Sequence, residues 1–230
     1  MLTENKFSKY LLYAIGEIVL VVIGILIALS INNWNNNNKD RKLEKLYISG
    51  LINDLEGDSI AIAQIKIDSD EQVLRKGKLY NYFEGASYNN DSISRFFDMQ
   101  WGMPLGFNPT TTTLDEMKSS GRISVIQNPD IRKQIIKTYN NYQVFTNGTQ
   151  AYYERQRGEV RKLAFKIPRV FDVQSLKNAV TPDIITALKN DELKNAILTN
   201  YALTVNRDLT VLQEENHKLL ARLREYISQF

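Results

Sequence analysis

The side chains able to do chemistry in this chain are few and scattered. Glu17 is the one ionisable group in the apolar stretch Leu11 to Ile31, LLYAIGEIVLVVIGILIALSI. A carboxylate in hydrocarbon is costly unless it is protonated, paired or close to the interface, so its position makes it a candidate for proton relay or helix pairing. It sits about one and a half turns inside the stretch, a depth from which it can also reach water, Lys9 or a neighbouring chain. His217 is the only histidine and stands among Glu214, Glu215 and Lys218; one imidazole with flanking carboxylates is not a zinc site. The acidic set Asp54, Glu56, Asp58, Asp68, Asp70 and Glu71 lacks the glycine-centred spacing of a calcium loop and reads as the solvated face of a helix. Thr110 to Thr113 has no nucleophile-elbow glycines and no nearby histidine, and Gly102, Gly106 and Gly121 make no phosphate loop. No catalytic, cofactor-binding or metal-ligating set is therefore expected. An acid pair assembled from distant helices is the enzymatic alternative, and it needs two carboxyls at a defined separation.

The element that must position everything else is the apolar stretch itself. Its 21 residues span roughly 30 Å as a helix, the thickness of a bilayer core. A secretory signal has a shorter apolar region and a small-residue cleavage site, and Ile31-Asn32-Asn33-Trp34 offers none. Tyr10 and Tyr13 at one end and Trp34 at the other are expected interface anchors, because amphipathic rings favour the headgroup level. Glu17, Gly24, Ala28 and Ile31 recur at spacings of seven, four and three, which places them on one helix face. Gly24 and Ala28 form a small-x-x-x-small pair that lets another helix approach closely, so Glu17, Gly24 and Ala28 are the expected contact with a partner helix or a second copy. Flanking charge does not orient the span: Lys9 lies nearer to it than Lys39, but Lys39, Arg41, Lys42 and Lys45 outnumber Lys6 and Lys9.

The rest of the chain reads as helical. Residues 1–10 are a short polar lead, 11–31 the transmembrane helix, 32–38 an asparagine-rich juxtamembrane connector, and 39–230 a helical extramembrane domain. The connector is either disordered or the polar start of the next helix. Leu43, Tyr47, Leu51 and Leu55 open a helical stripe, broadened by Ile48 and Ile52, that extends toward Phe83. Residues 84–90 are a turn by composition. A short helix around Ser92 to Met99 precedes WGMPLGFNP, whose Trp101, Met103, Leu105 and Phe107 are expected to tuck against the core; an exposed lip for a partner is the alternative. Thr110 to Ser120 reads as a helix capped by one of its threonines and stopped by Gly121. Asn128-Pro129-Asp130 is a strong helix start. The following stripe runs Ile131, Ile135, Tyr139, Tyr142, then Tyr152, Gln156, Val160 and Leu163, as one kinked helix or two, to Pro168. Its tyrosines are expected in the core with hydroxyls at the rim. Thr181-Pro182-Asp183 repeats the cap pattern, and Asn190 starts a last helix running nearly to Phe230. Such stripes are buried only if the helices fold back on one another, giving an all-α bundle of long antiparallel helices on a membrane anchor.

Composition agrees with that outline. The 230 residues carry 29 Lys plus Arg against 26 Asp plus Glu, a balance too even and too mixed for nucleic acid. The basic run Arg155 to Arg169 is diluted by Glu154 and Glu159. Cysteine is absent, which excludes disulfides and thiolate metal sites.

Two segments, Ala14 to Asn35 (AIGEIVLVVIGILIALSINNWN) and Leu114 to Asn141 (LDEMKSSGRISVIQNPDIRKQIIKTYNN), resemble the recurring blocks of an uncharacterised family of single-span proteins from Bacteroidota. The first match includes Glu17, Gly24 and the Asn-Asn-Trp end rather than hydrophobicity alone. That family's members usually show Gln where Ser30 stands, and carry a basic lead where this chain begins Met1-Leu2-Thr3-Glu4. The resemblance implies a bacterial inner-membrane protein with a cytoplasmic N-terminus and residues 35–230 in the periplasm, and it implies no activity. A noncatalytic envelope scaffold or interaction protein is thus the expected function, its partners the lipid bilayer and a second copy or another membrane protein. A sensor or small-ligand module, or a transport-complex subunit using Glu17, are the alternatives.

Overall fold

A computed structural model describes residues 4–102, 105–167, 171–172, 177–178 and 182–230. Its first helix, α1 (Glu4–Phe83), is 80 residues long and so about 120 Å from end to end. No proline precedes Pro104, and the asparagines of 32–38 are only weakly unfavourable in a helix, well under 1 kcal/mol each. The backbone hydrogen-bond ladder therefore passes straight through the connector, which is helical. It ends at Gly85, whose φ of +100° lets the Ala86 N–H return to the Asn81 carbonyl at 2.9 Å.

The other elements are α2 (Asn90–Gly102), α3 (Thr112–Ser119), α4 (Pro129–Val144), α5 (Ala151–Ala164), α6 (Pro182–Ala187), α7 (Asp191–Leu198) and α8 (Ala202–Ile227). Two two-residue strands, β1 (Phe171–Asp172) and β2 (Lys177–Asn178), pair antiparallel with Phe171 opposite Asn178. Helix α8 packs along α1 more extensively than any other pair. Its direction is fixed by the bonds Glu56–Arg224, Ser59–His217 and Asp70–Asn206, in which one chain position rises as the other falls. The fold is thus a membrane-type apolar helix continuing into an antiparallel helical bundle.

Several expectations change with the packing. Asn128 caps α4 as expected, accepting from the Asp130 and Ile131 N–H groups. The threonine before α3 does not cap it. Its amides are taken from α1 instead: Asp58 accepts from Thr110 N–H at 2.8 Å and Asp54 from Thr113 N–H at 3.0 Å. These two carboxylates are structural rather than solvated, and burial pushes Asp58 up from its ordinary value. Helix α3 comes so close that a Cβ on Gly50 would meet Thr113 Oγ1 at 2.8 Å. Between α4 and α5 the chain stays helical through a π-type segment, Phe145–Gln150. The wider turn inserts a residue into the repeat, so of the two tyrosines expected in the core Tyr153 is buried and Tyr152 is exposed. The last helix is two, broken at residues 199–201. Leu105 and Phe107 lie in the core; Met103, Pro168, Arg169, Thr181 and the Trp101 side chain lie outside the described residues.

Glu44 closes the membrane-proximal end. It is fully buried on α1 and accepts from the Gln127 N–H just before α4 at 2.7 Å and from the Tyr226 hydroxyl of α8 at 2.6 Å, with Arg41 at 3.4 Å on its other oxygen. Three elements are tied by one carboxylate. Glu44→Ala leaves a buried amide and hydroxyl without acceptors and is expected to destabilise the bundle by about 3 kcal/mol, measured as a lower urea midpoint of the detergent-solubilised chain.

Candidate functional site

Two regions present side chains arranged for more than packing. The first is the apolar half of α1. From Tyr10 to Ile31 every side chain is exposed, and none of the apolar window is covered by the rest of the chain. A fully exposed apolar helix of this length suits hydrocarbon, where its backbone groups are satisfied internally. Tyr10 and Tyr13 stand at one boundary and Trp34 at the other, all exposed. Glu17, Gly24 and Ala28 are exposed on one face, and a Cβ on Gly24 would meet nothing within 4 Å. The chain is a membrane-anchored helical protein with a folded bundle.

The second region is a buried polar layer at the middle of the bundle. Leu55, Ile62, Ser69 and Lys76 succeed one another at intervals of seven on α1, and all are buried. The same helical face therefore begins apolar and turns polar. Lys76, 8% exposed, donates to the Asn200 carbonyl at 2.8 Å and to its side-chain oxygen at 3.0 Å. Asn200 also accepts from the Ala202 N–H at 3.3 Å, so the residue that receives the lysine also starts α8 and breaks it from α7. Gln72 exchanges hydrogen bonds with the Tyr153 hydroxyl at 2.7 and 3.0 Å and donates to Met99 O at 3.1 Å. Gln100 donates to Phe96 O at 3.2 Å and accepts from Asn200 at 3.5 Å. The layer separates a large core of α1, α3, α4 and α8 from a second core around Leu79, Phe97, Val160, Ile184 and Ile197. Beside it, Val73, Leu74, Tyr80, Tyr88, Leu198 and Leu203 line a mostly apolar groove of about 710 Å³.

Outside these regions the chemistry is ordinary. His217 meets Ser59 Oγ at 3.1 Å, while Glu214 turns to Lys218 and Glu215 to Asn141 and Lys137. Glu154 and Glu159 are held by Arg157 and Lys162. Among the described residues no three His, Asp or Glu side chains converge as metal ligands. Tyr142 packs edge-on to Phe107, with 5.1 Å between ring centroids. Its hydroxyl lies not at the rim but inside, accepting from Asn216 Nδ2 at 2.8 Å. Asn216 also reaches the Leu55 carbonyl at 3.0 Å. Lys76, Gln72 and Glu44 escape a search for motifs, yet extending the seven-residue repeat beyond Ile62 places Ser69 and Lys76 inward.

Burial holds the Lys76 ammonium down to about 8 from its ordinary 10.5. A depressed lysine penalises the folded state fully below pH 8, and the penalty fades as pH rises toward 10.5. Burial also pushes Tyr153 up to about 12, and Tyr139 and Tyr142 higher. These groups stay protonated where unfolded tyrosines ionise, so they lower stability above pH 10. Between pH 7.5 and 9.5 the lysine dominates, and the unfolding free energy of the full chain in detergent is expected to rise by about 2 kcal/mol. Lys76→Met is expected to abolish that rise in urea titrations at the two pH values.

No curated protein and no solved structure matches the chain. A family model matches residues 17–197, from the carboxylate of the span to the second core, and the chain therefore belongs to DUF6090, a family of unknown function.

Proposed function

We propose that the protein is a noncatalytic, single-pass scaffold or interaction protein of the bacterial cell envelope, anchored in the inner membrane with its bundle in the periplasm. The observation that carries this reading is the unbroken helix α1, which is at once the span and the central element of the bundle. A flexible tether would leave the two parts independent. A continuous helix makes the rotation and height of the bundle follow those of the span, which is what a positioning element requires and what catalysis in a free domain does not. The exposed face of Glu17, Gly24 and Ala28 gives such an element a surface on which to assemble within the bilayer.

The test is affinity capture from native membranes in mild detergent, with the bound chains identified. A reproducible bound chain, a second copy included, is expected from the wild type, and its recovery is expected to drop at least tenfold with Gly24→Leu and Ala28→Leu together, because bulk on that face separates the helices. Recovery of the wild type alone and monomeric would sink the reading. For the orientation, protease added to spheroplasts is expected to digest the bundle and leave the α1 span protected; a bundle digested only after the membrane is opened would reverse it.

A further inference from the structure

The outward face of α1 on the bundle is unusual for a surface helix. Leu46, Asn53, Ile60, Ile67 and Leu74 follow one another at intervals of seven, and none of the five is charged. Leu46, Ile60, Ile67 and Leu74 are 65%, 74%, 62% and 55% exposed, although single exposed apolar residues are ordinary and aligned rows are not. The row lies opposite the Leu55, Ile62, Ser69 and Lys76 row that faces the core. Charge borders it at the membrane end, where Lys42 and Lys45 are exposed beside Leu46, and further along several neighbours are small or turned aside. Gly57 is exposed with nothing within 4 Å of a Cβ, Glu71 is held by Arg75 at 2.6 Å, and Lys78 lies 5.4 Å from the Phe96 ring centre.

This row is continuous with the span. Residues thirty-six apart in a straight helix lie about ten turns apart on the same side. Glu17 and Asn53, Gly24 and Ile60, Ala28 and Gln64, and Ile31 and Ile67 are such pairs. Among the described residues, that side of α1 is therefore largely uncovered from Glu17 to Leu74.

We infer that a second copy of this chain docks along that side, forming a parallel two-stranded pair that begins in the bilayer and continues through the bundle. The inference rests on the assembly reading above and names its partner. A second copy fits for three reasons. Chains anchored in one membrane with one orientation present the same residues at the same height, so an axis along the membrane normal sets each residue against its own counterpart. A single Asn in an otherwise apolar row at the seam of a parallel pair fixes register, and Asn53 stands in that way among Leu46, Ile60 and Ile67. From Glu17 to Leu74 the strip is about 85 Å long and about 10 Å wide, close to the roughly 800 Å² per partner of a stable interface.

The absence of cysteine makes the test direct. Ile60→Cys, Ile67→Cys and Ala28→Cys, each in the full chain in native membranes, are treated with a short bismaleimide, with Val144→Cys and Phe165→Cys as exposed controls on other faces. Adducts of two copies are expected at all three row positions and not at the controls. Ile60→Lys with Ile67→Lys, both at exposed sites, is expected to shift the full chain in mild detergent from twice 26.5 kDa to 26.5 kDa with unchanged thermal unfolding. An adduct at Ala28→Cys alone would overturn the extended pair while leaving assembly through the span. Adducts only with a different chain would overturn the second copy and leave the interaction reading. A monomer without adducts would remove both.

Discussion

The backbone ladder of α1 is the constraint on which the rest of the structure depends. In hydrocarbon a helix must satisfy its own amides; in water it holds at this length mainly because a face is buried against other elements. Here the two conditions meet in one helix. The apolar half is held by its solvent and the other half by α8, α2 and α3, while the asparagine stretch between them survives because it is continuous with both. Burying the lower part of the bundle therefore does more than stabilise a domain. It transmits the direction of the span into the body.

Within the bundle, apolar burial and polar pairing divide the work along the same helix. Near the membrane, Ile48, Leu51, Leu55 and Ile62 make an apolar seam, closed at the bottom by Glu44. Further out the seam carries Ser69, Gln72 and Lys76, and a buried cation that meets no carboxylate among the described residues must be met by oxygens of fixed position. Asn200 supplies them, and in doing so fixes where α7 ends and α8 begins. The polar layer thus costs stability near neutral pH, and it also sets the register between α1 and α8 that an all-apolar seam would leave less defined.

Much of this was legible in the residues. The span, the helix through Phe83, the stop at Gly85, the Asn128 cap and the all-α bundle follow from hydrophobic period and local capping chemistry. The roles of Asp54 and Asp58 were not legible, because a carboxylate that caps a helix fifty residues away looks, along the chain, like any solvated acid. Tyr152 falls outside the core because a π turn shifts the phase of a stripe without any unmistakable residue signal. Lys76 was hidden for a related reason: reading inward faces by apolar type stops where the inward residues cease to be apolar.

By itself the sequence determined which solvent each part of the chain requires, because transfer from water to hydrocarbon depends on residue type and its period along a helix. It also determined where single helices start and stop, since caps and glycines act within one turn. Only the tertiary structure decided which polar side chains are buried, that the span and bundle share one helix, and which side of that helix remains uncovered. Those outcomes depend on partners far away in the chain, and no local spacing encodes where a distant carbonyl or amide will stand.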